Sequence, residues 1–108
     1  MAIDWKTGKS YFKRGIAGYS GPPVKPVALR LVHQVAQSCS LPILAMGGIK
    51  NYQDALEFIY AGASAVAIGT YNFVNPKATI EAIENMQIYL EKNELSINQI
   101  KGKINGII

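Results

Sequence analysis

Apolar and polar positions along the chain follow two rhythms. Around residues Lys25 to Ser38, apolar side chains recur at spacings of three and four (Val24, Ala28, Leu31, Val32, Val35, Ala36), the period of a helix with one buried face. Pro26 suits the first turn of that helix, where a missing N–H costs nothing. "LPILAM", residues 41–46, is an almost unbroken apolar run and predicts a strand covered on both faces, as in a parallel sheet. A second helix is predicted over Tyr52 to Ala61. Asn51 serves as its N-cap, Asp54 follows three residues on, and Gly62 stops it. Its apolar stripe is Leu56 and Ile59 with Ala55 and Ala63. "SAVAIG", residues 64–69, predicts a second buried strand. A third helix is predicted to start at Asn75-Pro76, a cap followed by proline at the first position, with Ile80, Ile83, Met86 or Gln87, and Leu90 as its stripe. Met86 and Tyr89 read as packing residues. A last helix from Ser96, with Gln99 completing a capping box, carries Ile97, Ile100 and Ile104 and ends at Gly106. Residues 1–23 are rich in turn formers. They predict loop, with a small hairpin pairing Ala2 to Asp4 with Ser10 to Phe12 around "KTGK".

Strands alternating with helices predict an α/β fold with parallel strands and right-handed crossovers. The 108 residues make one domain, of which 1–23 form a loop and hairpin region and 24–108 a helix, two βα units and a C-terminal helix. Two buried strands leave both sheet edges open, so the chain reads as part of a larger α/β object. A complete α/β barrel takes about 250 residues.

Composition removes several classes of function. One cysteine, Cys39, and one histidine, His33, allow neither an intrachain disulfide nor a zinc cluster. His33 falls on the outer face with Arg30 and Gln37 and is expected to be solvated, and Cys39 is expected to act as a small filler. The net charge of +4 is spread along the chain, with no basic block and no aromatic-interleaved nucleic-acid motif. That reads as an ordinary, mildly basic surface; the alternative is a surface that meets an acidic partner or a phosphate. No apolar run reaches the roughly 18 to 20 residues of a membrane span. "MAIDWKTGKS" lacks a signal-peptide core, which makes a cytoplasmic protein the expectation.

Chemistry concentrates in the glycines. Gly47 and Gly48 close the first strand, and Gly69 and Thr70 close the second. In α/β folds ligands bind where strands end and helices begin. Side-chain-free backbone there lets amides approach an anion, and Thr70 adds a hydroxyl. The loop "GIAGYSGPP" also precedes a helix and offers Ser20 and Gly21 to the same ligand. Taken singly, each glycine also fits a tight turn or a packing position; their recurrence on consecutive strand ends favours a phosphate site.

"GYSGPPVKPVALRLVHQVAQ", "LPILAMGGI", "DALEFIYAGASAVAIGTYNFVNP" and "LSINQIKGKI" closely resemble the dihydroorotate dehydrogenase family. The likeness is to the C-terminal third of the soluble bacterial catalytic subunit. Within the family it is most similar to the type coupled to NAD through a partner iron–sulfur flavoprotein. The combination of S-G-P-x-x-K-P-x-A-L-R, M-G-G-I and A-G-A-S-A-V-A-x-G-T is far more specific than a lone glycine pair. The resemblance implies the C-terminal portion of a (β/α)8 TIM barrel, about its last two βα units with the preceding loop and helix. It implies FMN as cofactor, with Gly21 on the loop over the flavin, and Gly47, Gly48, Gly69 and Thr70 around the ribityl phosphate. It implies oxidation of dihydroorotate to orotate in pyrimidine synthesis, and a homo-oligomer.

The family's catalytic cysteine lies on a loop of the N-terminal half, as do an FMN-contacting lysine and substrate asparagines. None has a counterpart here, and Cys39, between a helix and a strand, does not match. No catalytic residue and no metal ligand is therefore assigned. The chain reads as a truncated piece, an excised fragment, a split reading frame or a mis-called start, without turnover alone. Two alternatives stay open: a non-catalytic flavin- or phosphate-binding fragment that complements a separate N-terminal chain, and another phosphate-binding barrel enzyme. Exposed Val66, Ile68, Ile43 and Met46 are expected to drive self-association.

Overall fold

The computed structural model describes residues 1–104. Its elements are α1 (Lys25–Ser38), β1 (Leu44–Met46), α2 (Tyr52–Ala61), β2 (Ala65–Ala67), α3 (Ala78–Lys92) and α4 (Ile97–Ile100). Short 3-10 turns cover Pro22–Val24 and Thr70–Phe73. Among the described residues the sheet has two strands. β1 and β2 run parallel, in the register Leu44 to Ala65, Ala45 to Val66 and Met46 to Ala67. The crossover between them is α2, which covers one face of the pair.

Local chemistry explains where these elements start and stop. The Asn51 side chain accepts from the Asp54 amide at 3.0 Å, capping α2, and Gly62 ends that helix in a left-handed conformation. Gln99 Oε1 accepts from the Ser96 amide at 2.7 Å, and the predicted capping box of Ser96 and Gln99 is formed. The N-terminal hairpin is a single antiparallel bridge between Ile3 and Ser10.

Two clusters hold the fold together. Ala45, Ile49, Ala55, Phe58 and Ala63 form the first, with Leu29 and Val32 of α1 and Ile43, Val66 and Ile68 of the strand region packed against it. Phe58 is fully buried at its centre, although it lay outside the predicted stripe of α2. The second joins Leu56 and Ile59 to Ile100, flanked by Met86, Tyr89 and Leu90 of α3. The Tyr52 and Tyr89 rings meet there at 5.9 Å, locking α2 to α3.

Several sequence expectations change. Both strands are shorter than predicted. Moreover, β1 is not covered on both faces: Ala45 is buried, while Leu44 and Met46 are 67% and 62% exposed. With two strands and no second helical layer among the described residues, one face of the pleat has nothing to pack on. Of the four residues expected to be bare, Met46 is the most open; Ile43, Val66 and Ile68 are half-buried, packed against the first cluster, with Val66 and Ile68 also lining an open groove. The packed stripe of α3 is Ala78, Ala82, Met86 and Leu90, with Ile80 and Ile83 exposed. Leu31 and Val35 of α1 are likewise exposed, because α1 meets α2 through Ala28, Leu29 and Val32. α3 begins at Ala78, not Pro76, since the Asn75 side chain accepts from the Lys77 amide at 3.1 Å and forms a turn before the helix. α4 stops at Ile100, leaving Ile104 outside it, and Gly106 lies outside the described residues. His33 is half-buried rather than solvated, with Nδ1 shut away and unpartnered among the described residues. Cys39 is exposed, a free thiol and not a filler.

Candidate functional site

Four of the five predicted residues converge at the C-terminal ends of the two strands. A Cβ built on Gly48 would lie 2.8 Å from the Gly21 carbonyl oxygen and 2.8 Å from the Lys25 amide nitrogen. One built on Gly47 would lie 2.6 Å from the Ala28 Cβ. Gly21 in turn faces the Thr70 methyl, 3.6 Å from where its own Cβ would be. Gly47 and Gly48 have φ of 129° and 75°, a region L side chains rarely enter. The loop before α1, the turn after β1 and the turn after β2 thus meet at one place. Gly69 differs: a Cβ there would meet nothing within 4 Å, and its φ is negative.

This corrects the physical reason for two of the glycines. The space cleared at Gly47 and Gly48 is filled by the first turns of α1, so their smallness serves close packing of loop on helix. What that packing leaves free is backbone. Among the described residues the amides of Gly48 and Ile49 have no acceptor, while the next amide, Lys50, is held by Asp54 Oδ2 at 3.0 Å. Thr70 is exposed beside them, and the Asn72 amide and side chain pin the turn after β2 to Gly69 O and Ile68 O. Ser20 is exposed in the adjoining loop.

An ion-pair network absent from the sequence reading supports this turn. Lys25 Nζ lies 2.6 Å from Asp54 Oδ1 and 3.0 Å from Glu57 Oε1. Asp54 is 5% exposed, the single buried charged residue of the described core. The hydrogen bond that Lys25 donates to Asp54 raises the pKa of Lys25 above its ordinary 10.5; burial opposes that, and Glu57 adds to it. One signal for this network was legible. A lysine at the first position of a helix opposes the helix dipole and calls for compensating carboxylates. Asp54 and Glu57, three apart on α2, supply them.

Groups of three or more His, Cys, Asp or Glu side chains placed to hold a metal are absent among the described residues. No described helix is long and apolar enough to cross a membrane.

Residues 1–90 match the family model for dihydroorotate dehydrogenase. The chain is 51% identical over 105 residues to the catalytic subunit of dihydroorotate dehydrogenase B (NAD(+)) of Thermoanaerobacter sp. strain X514, covering 96% of this chain and 35% of that protein. It is 50% identical over 100 residues to the corresponding subunit of Malacoplasma penetrans, covering 93% and 32%. The chain therefore spans about a third of the length of these relatives. Among solved structures, ligand-free dihydroorotate dehydrogenase of Eimeria tenella aligns with a TM-score of 0.74 at 25% identity, over 91% of this chain and 28% of that one. The same enzyme in complex with ferulenol aligns at 0.70 and 26% identity, over 77% and 23%.

Proposed function

Because the chain belongs to the dihydroorotate dehydrogenase family of flavin-dependent oxidoreductases, we propose that it supplies the phosphate-gripping end of an FMN site in an enzyme oxidising dihydroorotate to orotate. When bound, the flavin supplies the redox chemistry by accepting a hydride from the substrate. The part assigned to this chain is binding and orientation. The unpaired Gly48 and Ile49 amides would donate to phosphate oxygens, the exposed Thr70 hydroxyl would add a third donor, and Gly69 would let the group approach the backbone. Gly21 would hold the loop over the flavin against Thr70.

The observation that carries this reading is the pair of adjacent amides for which no acceptor stands among the described residues, in a turn whose next amide, Lys50, is held by Asp54. Buried or semi-buried amides normally find a partner, so two adjacent orphans at a strand's C-terminal end mark a place for an anion. Donors without acceptors are what a phosphate dianion requires, so these residues fit that group. On the same reading the assembled enzyme is a cytoplasmic homo-oligomer that passes electrons to an iron–sulfur flavoprotein subunit. The reactive end of the site lies outside this chain, which alone would give no orotate absorbance from dihydroorotate and FMN. The open strand edges favour a second form of the reading, in which the chain complements a separate N-terminal partner.

Titration of the chain with FMN and with riboflavin tests the phosphate assignment. FMN should bind at least about tenfold more tightly, the worth of one charge-assisted hydrogen bond. Equal affinity for the two would sink it.

A further inference from the structure

The Lys25, Asp54 and Glu57 cluster stands directly behind the turn that carries the free amides. Asp54 buttresses that turn, since its Oδ2 holds the Lys50 amide, two residues past Gly48. Its Oδ1 and Glu57 Oε1 both receive Lys25 Nζ. A buried carboxylate this close to an anion site is a liability: it lies well inside one Debye length, in a poorly screened interior, and repels a phosphate. Lys25 is placed to remove that liability. Its backbone nitrogen already abuts the Gly48 position, and its ammonium carries the balancing charge to the carboxylates.

We infer that Lys25 is a positioning residue for the phosphate site, neutralising the Asp54 carboxylate so that Asp54 can brace the Gly47-Gly48 turn without repelling the bound anion. Two of the three ammonium donors of Lys25 go to the carboxylates, so its charge is committed to them first. The inference rests on the phosphate reading above, and the two fail in different ways. It also explains why a cation stands at the start of α1, where the helix dipole disfavours it.

The test compares FMN with riboflavin, and inorganic phosphate alone, on the full 108-residue chain and its variants. The ratio of FMN to riboflavin affinity isolates the phosphate contribution, and amide shifts of Gly48 and Ile49 on adding inorganic phosphate report the same site directly. Lys25→Met should cut FMN affinity about tenfold with riboflavin affinity nearly unchanged. Lys25→Arg should keep the ratio. Lys25→Met combined with Asp54→Asn should regain most of the loss, because asparagine still accepts from the Lys50 amide and carries no charge. If the unaltered chain shows neither an FMN preference nor phosphate-induced shifts at Gly48 and Ile49, the phosphate reading fails and takes this inference with it. If the preference exists and Lys25→Met keeps it, only the inference fails. A parallel loss for both flavins, or no recovery in the double variant, makes the lysine merely structural and also overturns it. Should Lys25→Met not fold, the double variant against Asp54→Asn alone gives the same comparison: a nearly equal ratio in the two supports neutralisation, because without the Asp54 charge the lysine has only the solvent-screened Glu57 left to cancel, and a clearly lower ratio in the double variant overturns it.

Discussion

Gly48 and Gly69 look alike in sequence, each a small residue closing a strand, yet they are constrained by different things. At Gly48 a methyl group would press on the Gly21 carbonyl and the Lys25 amide, both backbone, and the φ of 75° disfavours any L side chain. Gly48→Ala should therefore destabilise the fold by about 2 kcal/mol, from strain and overpacking together. At Gly69 the same methyl meets nothing, so Gly69→Ala should change stability by less than about 0.5 kcal/mol. If a phosphate sits over that strand end, Gly69→Ala should nonetheless weaken FMN binding several-fold. Thermal denaturation and flavin titration on the two variants separate the roles. A Gly69→Ala chain that binds FMN normally would show that this glycine is not part of the cradle.

The elements were largely legible because caps and stops are written locally. Asn51 and Gly62 delimit α2 by chemistry that needs no tertiary partner, and α1 and α2 fall where the sequence predicts. What was not legible depends on what lies opposite. The three-and-four rhythm of α3 does not tell which of two apolar stripes is covered; the closeness of α2 selects the Ala78 and Ala82 side over Ile80 and Ile83. At the site the same split holds. Glycine pairs are visible in a sequence, whereas the meeting of Lys25 with Asp54 and Glu57 across two helices is visible only once α1 packs on α2. That pairing has a consequence with a definite sign. Lys25 has its pKa raised in the folded chain, first by the hydrogen bond to Asp54. Its stabilising contribution is then complete below the ordinary lysine value of 10.5 and is lost as pH rises through the higher folded value. Thermal unfolding of the unaltered chain and of Lys25→Met should differ by about 2 kcal/mol near neutral pH, for a charge-assisted bond partly open to water. The gap should close only at strongly alkaline pH. A gap already closing near about pH 8 would mean that the ammonium is not what holds Asp54.

The molecule as a whole exposes more surface than its mass warrants. A compact monomer of 11.7 kDa presents about 5,900 Å² to solvent; this chain presents 7983 Å². Its radius of gyration is 16.9 Å, against about 13 Å for a compact domain of this length. Part of the excess is the N-terminal arm, where Trp5, Tyr11 and Tyr19 are 85%, 69% and 72% exposed. The rest is structural. β1 turns Leu44 and Met46 outward, both strands have an edge that is unpaired among the described residues, and an apolar groove of about 760 Å³ runs along β2 beneath α3, lined by Val66, Ile83, Met86 and Leu90. An excess near 2,000 Å² matches the area that a stable protein interface buries, and open parallel edges add backbone donors and acceptors that water satisfies only poorly in competition with another strand. The chain by itself should therefore associate as its concentration rises. Replacing Leu44 and Met46 together by lysine places two charges on the bare face and touches no buried contact, so the fold should survive while association weakens. Sedimentation velocity over a hundredfold range of concentration reads both effects. A single compact monomer throughout would mean that the arm or the groove closes over the bare face in solution; association unchanged by the two lysines would move the contact from the sheet face to the strand edges and groove.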